Sequence, residues 1–536
     1  MKFTIFSFLF LSLFLLFVSC RNYIGSDAVN QRINDLKEKY PVPNLTKSEM
    51  YADFDTLVSI MERCNPQYLV RKKVTGYDLV AEIKAQREQI ENCENTLDFI
   101  RLMKKSLFLA LDEHCFIGKH VWFYKNNRYK ENIKINKIKN RDFGINFHYI
   151  HDVFHIYPPK IDLIYIQGRY FLKNKTTFFY DTDSIVLHTG TEILNFNSQP
   201  ILFYLDSIKS LGTRWDFNKK IYYNSLLWIE NPPNIISFKI EDTIKEYSFT
   251  SLSSVEDDEM KRLTETKFQS KWFDKDSVII INIPQMIYSQ SWLEQLKSEL
   301  MLYKDKPVQS VIIDIRGNPG GSNAAWLSVL DMLLESPLTY TPRLAATTDN
   351  DVIKRIRHKL PKEGRKKLNK DKEIIYFDFI DPHNPFCLVE TYTQTTKHPD
   401  SLNAQNLGYK GTIYLLVDED IYSSSGAFTA LRNSTDIKIK TIGMPTGKLL
   451  GSGIEPNVFI LPNSRLMFTL QLTLDPVGVS KAEDFYHDHV DFPITPSIDY
   501  YKYWYDPDRP YIIDEKSMYE HDEVFIKALE IIKNNQ

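Results

Sequence analysis

The chain has 536 residues, enough for roughly two to four domains at ~100–200 residues each. Hydrophobic residues make up 43%, which excludes a disordered or collagen-like chain, and 66 basic against 69 acidic residues argue against a nucleic-acid scaffold, which carries a basic excess. Five cysteines cannot form a disulfide framework, and a mean hydropathy of -0.32 with only one long apolar run excludes a polytopic membrane protein.

That run is Phe3 to Val18, behind Lys2. It falls short of the ~20 residues of a bilayer span and suits a signal-peptide core. It ends at Val18-Ser19-Cys20, a small residue directly before cysteine, which resembles a bacterial lipoprotein signal at residues 1–20. Cys20 is then the lipidated N-terminus; plain secretion with an incidental cysteine is the other reading. Acyl chains contribute ~0.8 kcal/mol per buried CH2 to membrane anchoring. Cys64, Cys93, Cys115 and Cys387 fit no metal-ligand spacing. Residues 21–44, with Pro41 and Pro43, read as a tether.

Residues 45–118 read as a small helical unit. Phe54, Leu57, Val58 and Met61 recur at i, i+3, i+4 and i+7, and Phe99, Met103, Leu107 and Ala110 approximate the same period. Residues 119–255 turn to short β-rich runs such as Asp162–Gln167 and Tyr170–Leu172. The stretch Gly190–Ile201, leading into a helix over 201–211, has the cadence of a PDZ-like module, with a generic β-sandwich as the alternative. From 256 to 536 the pattern is strand, helix, strand: apolar strands at Ser277–Ile283, Val311–Ile315 and Gly411–Val417, helices around Trp292–Leu300 and Ala324–Leu334. That alternation predicts βαβ units and a mainly parallel sheet. Residues 340–408 read as a polar, irregular insertion with a basic stretch from Lys359 to Lys372.

Three segments carry chemistry. In Asp314-Ile-Arg-Gly-Asn-Pro-Gly-Gly321 a buried strand runs into a glycine turn whose N–H groups could face an anion, either a phosphate or an oxyanion. In Val417-Asp-Glu-Asp-Ile-Tyr-Ser-Ser-Ser-Gly426 a strand ends in three serines at a helix start, where a serine serves as N-cap or as nucleophile. In Asp112-Glu-His-Cys115 a histidine closes an amphipathic helix, as a core residue or a base.

Taken together these segments resemble the C-terminal processing peptidases (tail-specific proteases). Asp314–Gly321 resembles the family's D-x-R-x-N-x-G-G signature, and Ser424–Ala427 its nucleophile segment. Asp112–His114 resembles the D-G-H-T motif of the branch akin to the tricorn core protease. Ile442–Gly447, Phe459–Leu466 and Val490–Ile494 resemble later family motifs, in order, and Phe525–Lys533 its closing helix. The resemblance implies an α/β fold, a crotonase/ClpP-like protease core with an N-terminal helical unit and a PDZ-like β-rich module. It implies Ser424 as nucleophile, with Ser423 as the alternative because it aligns Tyr422 and Phe428 better, and Ser425 as a cap. His114 becomes the general base, the N–H groups of Gly320 or Gly321 with that of Ser425 the oxyanion hole, and Asp484 the orienting acid, with Glu483 as runner-up.

The sequence also departs from the family pattern. Glu113 and Cys115 stand in the histidine motif, Met444 replaces a glutamate, and Lys448 replaces a glycine. Lys448 lies 24 residues past Ser424, one short of the Ser-Lys branch's spacing, so a Ser424–Lys448 dyad is a second possible mechanism. His487 and His489 have no third ligand in the sequence and read as a surface loop. The expectation is an exported, lipid-anchored serine peptidase of the periplasm or cell surface. It acts on peptides, unfolded proteins or protein C-terminal regions by acyl-enzyme chemistry, with no metal, no cofactor and no nucleic-acid partner. The alternative is a catalytically inactive protein binding a peptide or apolar ligand on the same scaffold.

Overall fold

The computed structural model describes residues 35, 37–110, 112, 114–117, 137–153, 160–180, 183–207, 212–216, 221–227, 235–240, 242–249, 251–254, 268–360, 362–370, 372–391, 393–396, 406–433, 438–446, 456–486, 490–506 and 513–535. The leader at 1–20 with Cys20, most of the tether, Glu113, Lys448 and the His487/His489 pair lie outside the described residues. Among the described residues no helix is long and apolar enough to cross a membrane.

The first helix, Lys47–Cys64, starts at a capping box in which the Thr46 hydroxyl and Glu49 carboxylate satisfy each other's backbone N–H groups. Its i, i+3, i+4, i+7 stripe of Phe54, Leu57, Val58 and Met61 is buried. Helix Thr96–Phe108 buries Phe99, Met103 and Leu107 against the same core. That core does not stop at the helices. Leu344, Val389, Phe459, Leu461, Phe468 and Leu470, far along the chain, pack into it. The end of the helical segment is thereby pinned to the C-terminal half.

The described residues between 160 and 254 are mostly antiparallel strand. One sheet runs, edge to edge, through Thr243–Ser248, Ile235–Ile240, Glu192–Phe196, Arg169–Leu172, Lys160–Ile166, Ile221–Leu227 and Gly212–Asp216. The expected helix after Pro200 is present as Ile201–Ser207.

The central sheet follows from its sequence most directly. Val278–Asn282, Ser310–Asp314 and Ile413–Val417 are apolar nearly throughout and are buried along their whole length, as strands covered on both faces must be. They pair in parallel, continued by Ile439–Gly443 and Phe492–Pro493, with one antiparallel edge strand, Gln269–Phe273. Alternation divides the strands' side chains between two layers. Ile279, Ile281, Val311, Ile313 and Leu415 meet helices Gln290–Met301 and Asn323–Leu333. Ile280, Ile312, Tyr414 and Leu416 meet the C-terminal helix Glu523–Asn534. Val311–Asp314 pairs with Ile413–Leu416, so the glycine turn and the serine turn leave the carboxyl ends of adjacent strands. That is where ligand crevices form in parallel sheets.

The described residues of the segment 340–408, expected to be irregular, form strands and helices. Arg343–Thr347 pairs with Pro385–Glu390 and with Thr473–Leu474, and Glu373–Tyr376 closes the far edge. The buried strand residues here include the small Ala345 and Ala346, which carry little strand signal. Helix Asn350–Lys359 buries Val352, Ile353 and Ile356 beneath its basic face. Polar composition concealed both.

Candidate active site

The glycine turn is built around Arg316, which is fully buried. Its guanidinium donates to Asp314 at 2.8 and 2.6 Å and to Asp522 at 2.8 and 2.7 Å, and its Nη1 lies 3.1 Å from the Tyr500 hydroxyl. The Trp504 ring covers it at 3.9 Å. Two bidentate carboxylates around one guanidinium satisfy a charge that burial would otherwise penalise heavily. Asn318 shapes the two glycines beyond it: its amide donates to the Ile283 carbonyl at 2.7 Å and its side-chain oxygen accepts from the Gly320 N–H at 2.8 Å. The most recognisable residues of this segment are therefore architectural.

Gly320 (φ +96°) and Gly321 (φ +138°) carry the turn through conformations that favour glycine. A Cβ on Gly320 would fall 2.6 Å from the Tyr422 carbonyl, 2.7 Å from Ser423 Cβ and 2.8 Å from the Ser424 nitrogen. The glycine turn and the serine turn are thus in direct contact. Two N–H groups at this junction, those of Gly321 and Ser424, have no hydrogen-bond acceptor among the described residues.

The three serines have different fates. The Ser425 hydroxyl is buried 2.6 Å from both the Asn318 and Tyr422 carbonyls. The Ser424 hydroxyl donates to the Asn323 side-chain oxygen at 2.6 Å, and Ser424 is only 5% exposed. Ser423 is half-buried, and its hydroxyl has no hydrogen bond among the described residues. Its backbone is strained, at φ +56° and ψ -120°, a region that costs a non-glycine residue of order 1–3 kcal/mol and clusters at functional sites. A strained strand-to-helix turn of this kind lifts a serine hydroxyl clear of the backbone.

His114 comes to this turn from more than 300 residues upstream. Its N–H lies 2.8 Å from an Asp112 carboxylate oxygen and 3.1 Å from the Tyr422 hydroxyl. Its carbonyl accepts from the Thr469 hydroxyl at 2.7 Å. The imidazole and the Tyr422 ring have centroids 4.7 Å apart, and Nδ1 is 3.7 Å from Asp112 Oδ1. The Tyr422 hydroxyl itself donates to Asp112 at 2.8 Å. Next door, burial pushes the Cys115 thiol well above its ordinary range, so it is an inert filler rather than a nucleophile.

Asp484 is engaged elsewhere. Its carboxylate accepts from the Ser480 N–H at 2.8 Å, the Ser480 hydroxyl at 2.7 Å and the Lys481 N–H at 3.1 Å, at the start of helix Ala482–Tyr486. Burial pushes its pKa up, and those three donors outweigh it, leaving the carboxyl below its usual value. Glu483 shares that helix start. The carboxylate standing beside His114 is Asp112, two positions before it. The Gly320 N–H is taken by Asn318, and the Ser425 N–H bonds the Tyr422 carbonyl at 3.3 Å. Met444, at the position of a family glutamate, is buried with the Tyr501 hydroxyl 3.1 Å from its sulfur.

Sequence reasoning does not single out Asp112, Tyr422 or Asn323, which the structure brings against His114 and Ser424. Tyr422 and Asp112 carry a signal, each lying within two positions of a residue already implicated, whereas Asn323 becomes visible only through its contact with Ser424.

Residues 277–484 match the Peptidase family S41 model. Among solved structures, the chain is similar to mature CPAF, at 12% identity with a TM-score of 0.52, over 91% of this chain and 98% of that one. It is likewise similar to a serine-to-alanine mutant of CPAF, at 12% identity and a TM-score of 0.51, over 91% and 97%. These similarities are similarities of fold. No curated protein matches the sequence.

Proposed function

We propose that this chain, whose residues 277–484 match the Peptidase family S41 model, is a serine-type peptidase with a specific active site: Ser423 as nucleophile, His114 as general base, and the N–H groups of Gly321 and Ser424 as the oxyanion hole. The observation that carries this is the division of labour among the three serines. Of the three, Ser423 combines a half-buried position and a hydroxyl with no hydrogen bond among the described residues with a strained turn, while the Ser424 and Ser425 hydroxyls are engaged by Asn323 and by carbonyls.

In this reading the Ser423 oxygen attacks a peptide carbonyl and its proton passes to the neutral His114 imidazole. The carbonyl oxygen, now negative, is received by the N–H groups of Gly321 and Ser424, a reading supported by their having no acceptor among the described residues. Collapse of the tetrahedral intermediate expels the amine, which takes the proton from His114 and leaves an acyl-enzyme for water to hydrolyse. Asp112 and Tyr422 hold the imidazole in register, the role the family resemblance implied for Asp484.

The substrate class is peptides and unfolded protein chains, including C-terminal regions. We also infer export and anchoring through a lipidated Cys20, on the apolar run Phe3–Val18 that ends there; a Cys20→Ala chain that still incorporated a lipid label would refute the anchor. The active site is tested by labelling the full chain with a fluorescent fluorophosphonate and mapping the modified peptide. Label is expected on Ser423, lost in Ser423→Ala and strongly reduced in His114→Ala. Label on Ser424 would make that residue the nucleophile instead, and a chain with no serine labelled would favour the inactive ligand-binding alternative.

A further inference from the structure

Immediately before the nucleophile turn the chain carries three acids in a row, Asp418, Glu419 and Asp420. Asp418 is 1% exposed and Glu419 5% exposed. Carboxylates rarely accept such burial without a partner, because the cost of removing each from water is several kcal/mol. A partner for the cluster, among the described residues, is a lysine from the β-rich region more than 240 residues upstream. Lys173 follows strand Arg169–Leu172, and its N–H is tied to the Asp162 carbonyl at 2.8 Å. Its ammonium is buried, with Nζ 3.2 Å from Glu419 and 2.8 and 2.7 Å from the two Asp420 oxygens. The Tyr505 ring lies under the ammonium at 4.9 Å, and the Tyr505 hydroxyl donates to Asp420 at 2.7 Å.

This cluster reaches the chemistry through Asp418. One Asp418 oxygen accepts from the Asp420 N–H at 3.1 Å, and both accept from the Gly317 N–H at 3.0 and 2.9 Å. Asp418 therefore stitches the start of the serine turn to the start of the glycine turn. Burial pushes its carboxyl up, and Asp420 and Glu419 push it further, while Lys173 opposes them. Burial works against the Lys173 charge too, but the surrounding carboxylates overcome it and hold the ammonium protonated. If the lysine charge were removed, three adjacent carboxyls would share one dry pocket. The turn would then have to open toward water or take up protons, and a protonated Asp418 is a poorer acceptor for the Gly317 N–H.

We propose that Lys173 is a positioning residue for the peptidase chemistry: by pairing with Glu419 and Asp420 it offsets part of the acid charge around Asp418 and holds the serine turn against the glycine turn, so that Ser423 and the N–H groups of Gly321 and Ser424 converge. The inference rests on the reading of Ser423 as nucleophile. It makes the β-rich region a part of the active site's support, joined to it by an ion cluster rather than by apolar packing alone.

The test uses fluorophosphonate inactivation of the full chain, separated into the binding constant KI and the first-order rate kinact. The serine oxygen displaces fluoride from phosphorus and gives up its proton to the base, so kinact reads the geometry of the turn. Lys173→Met is expected to lower kinact by about 100-fold with KI within about 3-fold of wild type, as a misplacement near 1 Å does. Lys173→Arg, which keeps the charge, is expected to recover kinact to within about 5-fold of wild type. Thermal unfolding of each variant reports whether it is folded. If Lys173→Met does not fold, Asp420→Asn decides, with an expected fall in kinact of about 10-fold. Folded variants with wild-type kinact, or an arginine variant as slow as the methionine one, would overturn the proposal. Absence of label on Ser423 in the wild-type chain would instead overturn the underlying assignment of the nucleophile.

Discussion

The Tyr422 hydroxyl donates a 2.8 Å hydrogen bond to the Asp112 carboxylate across 310 positions of sequence. Tyr422 immediately precedes Ser423, and Asp112 lies two residues before His114, so one bond ties the loop of the proposed base to the turn of the proposed nucleophile. Tyr422→Phe keeps the ring that lies 4.7 Å from the imidazole and removes only the hydroxyl. It leaves a buried carboxylate short of a donor, which costs about 1–3 kcal/mol. The expected result in urea unfolding is a loss of that size, with fluorophosphonate labelling slowed by about 10-fold or more as the base drifts. A variant as stable and as reactive as wild type would remove Tyr422 from the machinery.

The contact between the two turns predicts a contrast between neighbouring glycines. Gly320 sits at φ +96° with backbone atoms of Tyr422 and Ser424 within 2.8 Å of where a Cβ would stand. Gly317, at φ +70°, has nothing within 4 Å. Gly317→Ala pays only for its left-handed backbone, roughly 1–2 kcal/mol. Gly320→Ala must also push the serine turn away, so labelling is expected to fall by about 100-fold or more. Equal labelling rates in the two variants, measured on folded protein, would mean that the contact does not position Ser423.

The parallel core was legible because buried strands such as Val311–Ile315 have no polar face to hide, and the first helix because its apolar period is regular. The pairing of the glycine and serine segments was legible only through the family resemblance. Which serine stands free was not, since the distinction depends on Asn318 and Asn323 arriving from another turn. The family resemblance points to Asp484 through its distance along the chain, but distance says nothing of local donors, and Ser480 and Lys481 engage that carboxylate. Lys173 left no trace because a lysine after a short strand reads as solvated. Only the fold reveals that it is buried among acids.

The buried Arg316 makes a stability prediction separate from catalysis. Its guanidinium is shared by Asp314 and Asp522, both buried. Asp522 also caps the C-terminal helix by accepting from the Phe525 N–H at 3.0 Å. Asp522→Ala strips half of the charge balance and the cap together, and breaking a buried pair costs about 3–5 kcal/mol. An exposed pair on the same helix, Lys527 with Glu530 at 2.7 Å, is worth only about 0–1 kcal/mol, so Glu530→Ala serves as the control. Equal shifts in the unfolding midpoint for the two variants would contradict the assignment of Arg316 as the anchor of the glycine turn.

Asp491 provides a pH-dependent test of the far edge of the central sheet. It precedes the short strand Phe492–Pro493, which pairs with Ile439–Gly443. Its carboxylate accepts from the Thr441 N–H at 2.9 Å, the Thr441 hydroxyl at 3.0 Å and the Lys440 ammonium at 3.0 Å. Burial pushes the carboxyl up, but these donors and the Arg432 charge outweigh it, so the folded protein holds it below the ordinary value of 3.8. A carboxyl depressed by folding adds stability that is fully present above its unfolded pKa and disappears as the pH falls through its folded one. Asp491→Asn lacks that contribution at every pH. Wild type is therefore expected to be the more stable at pH 7, with the gap between the two urea midpoints narrowing as the pH is lowered below 3.8. A gap that stayed constant from neutral to strongly acid pH would show that the charge on Asp491 is not what fastens this edge.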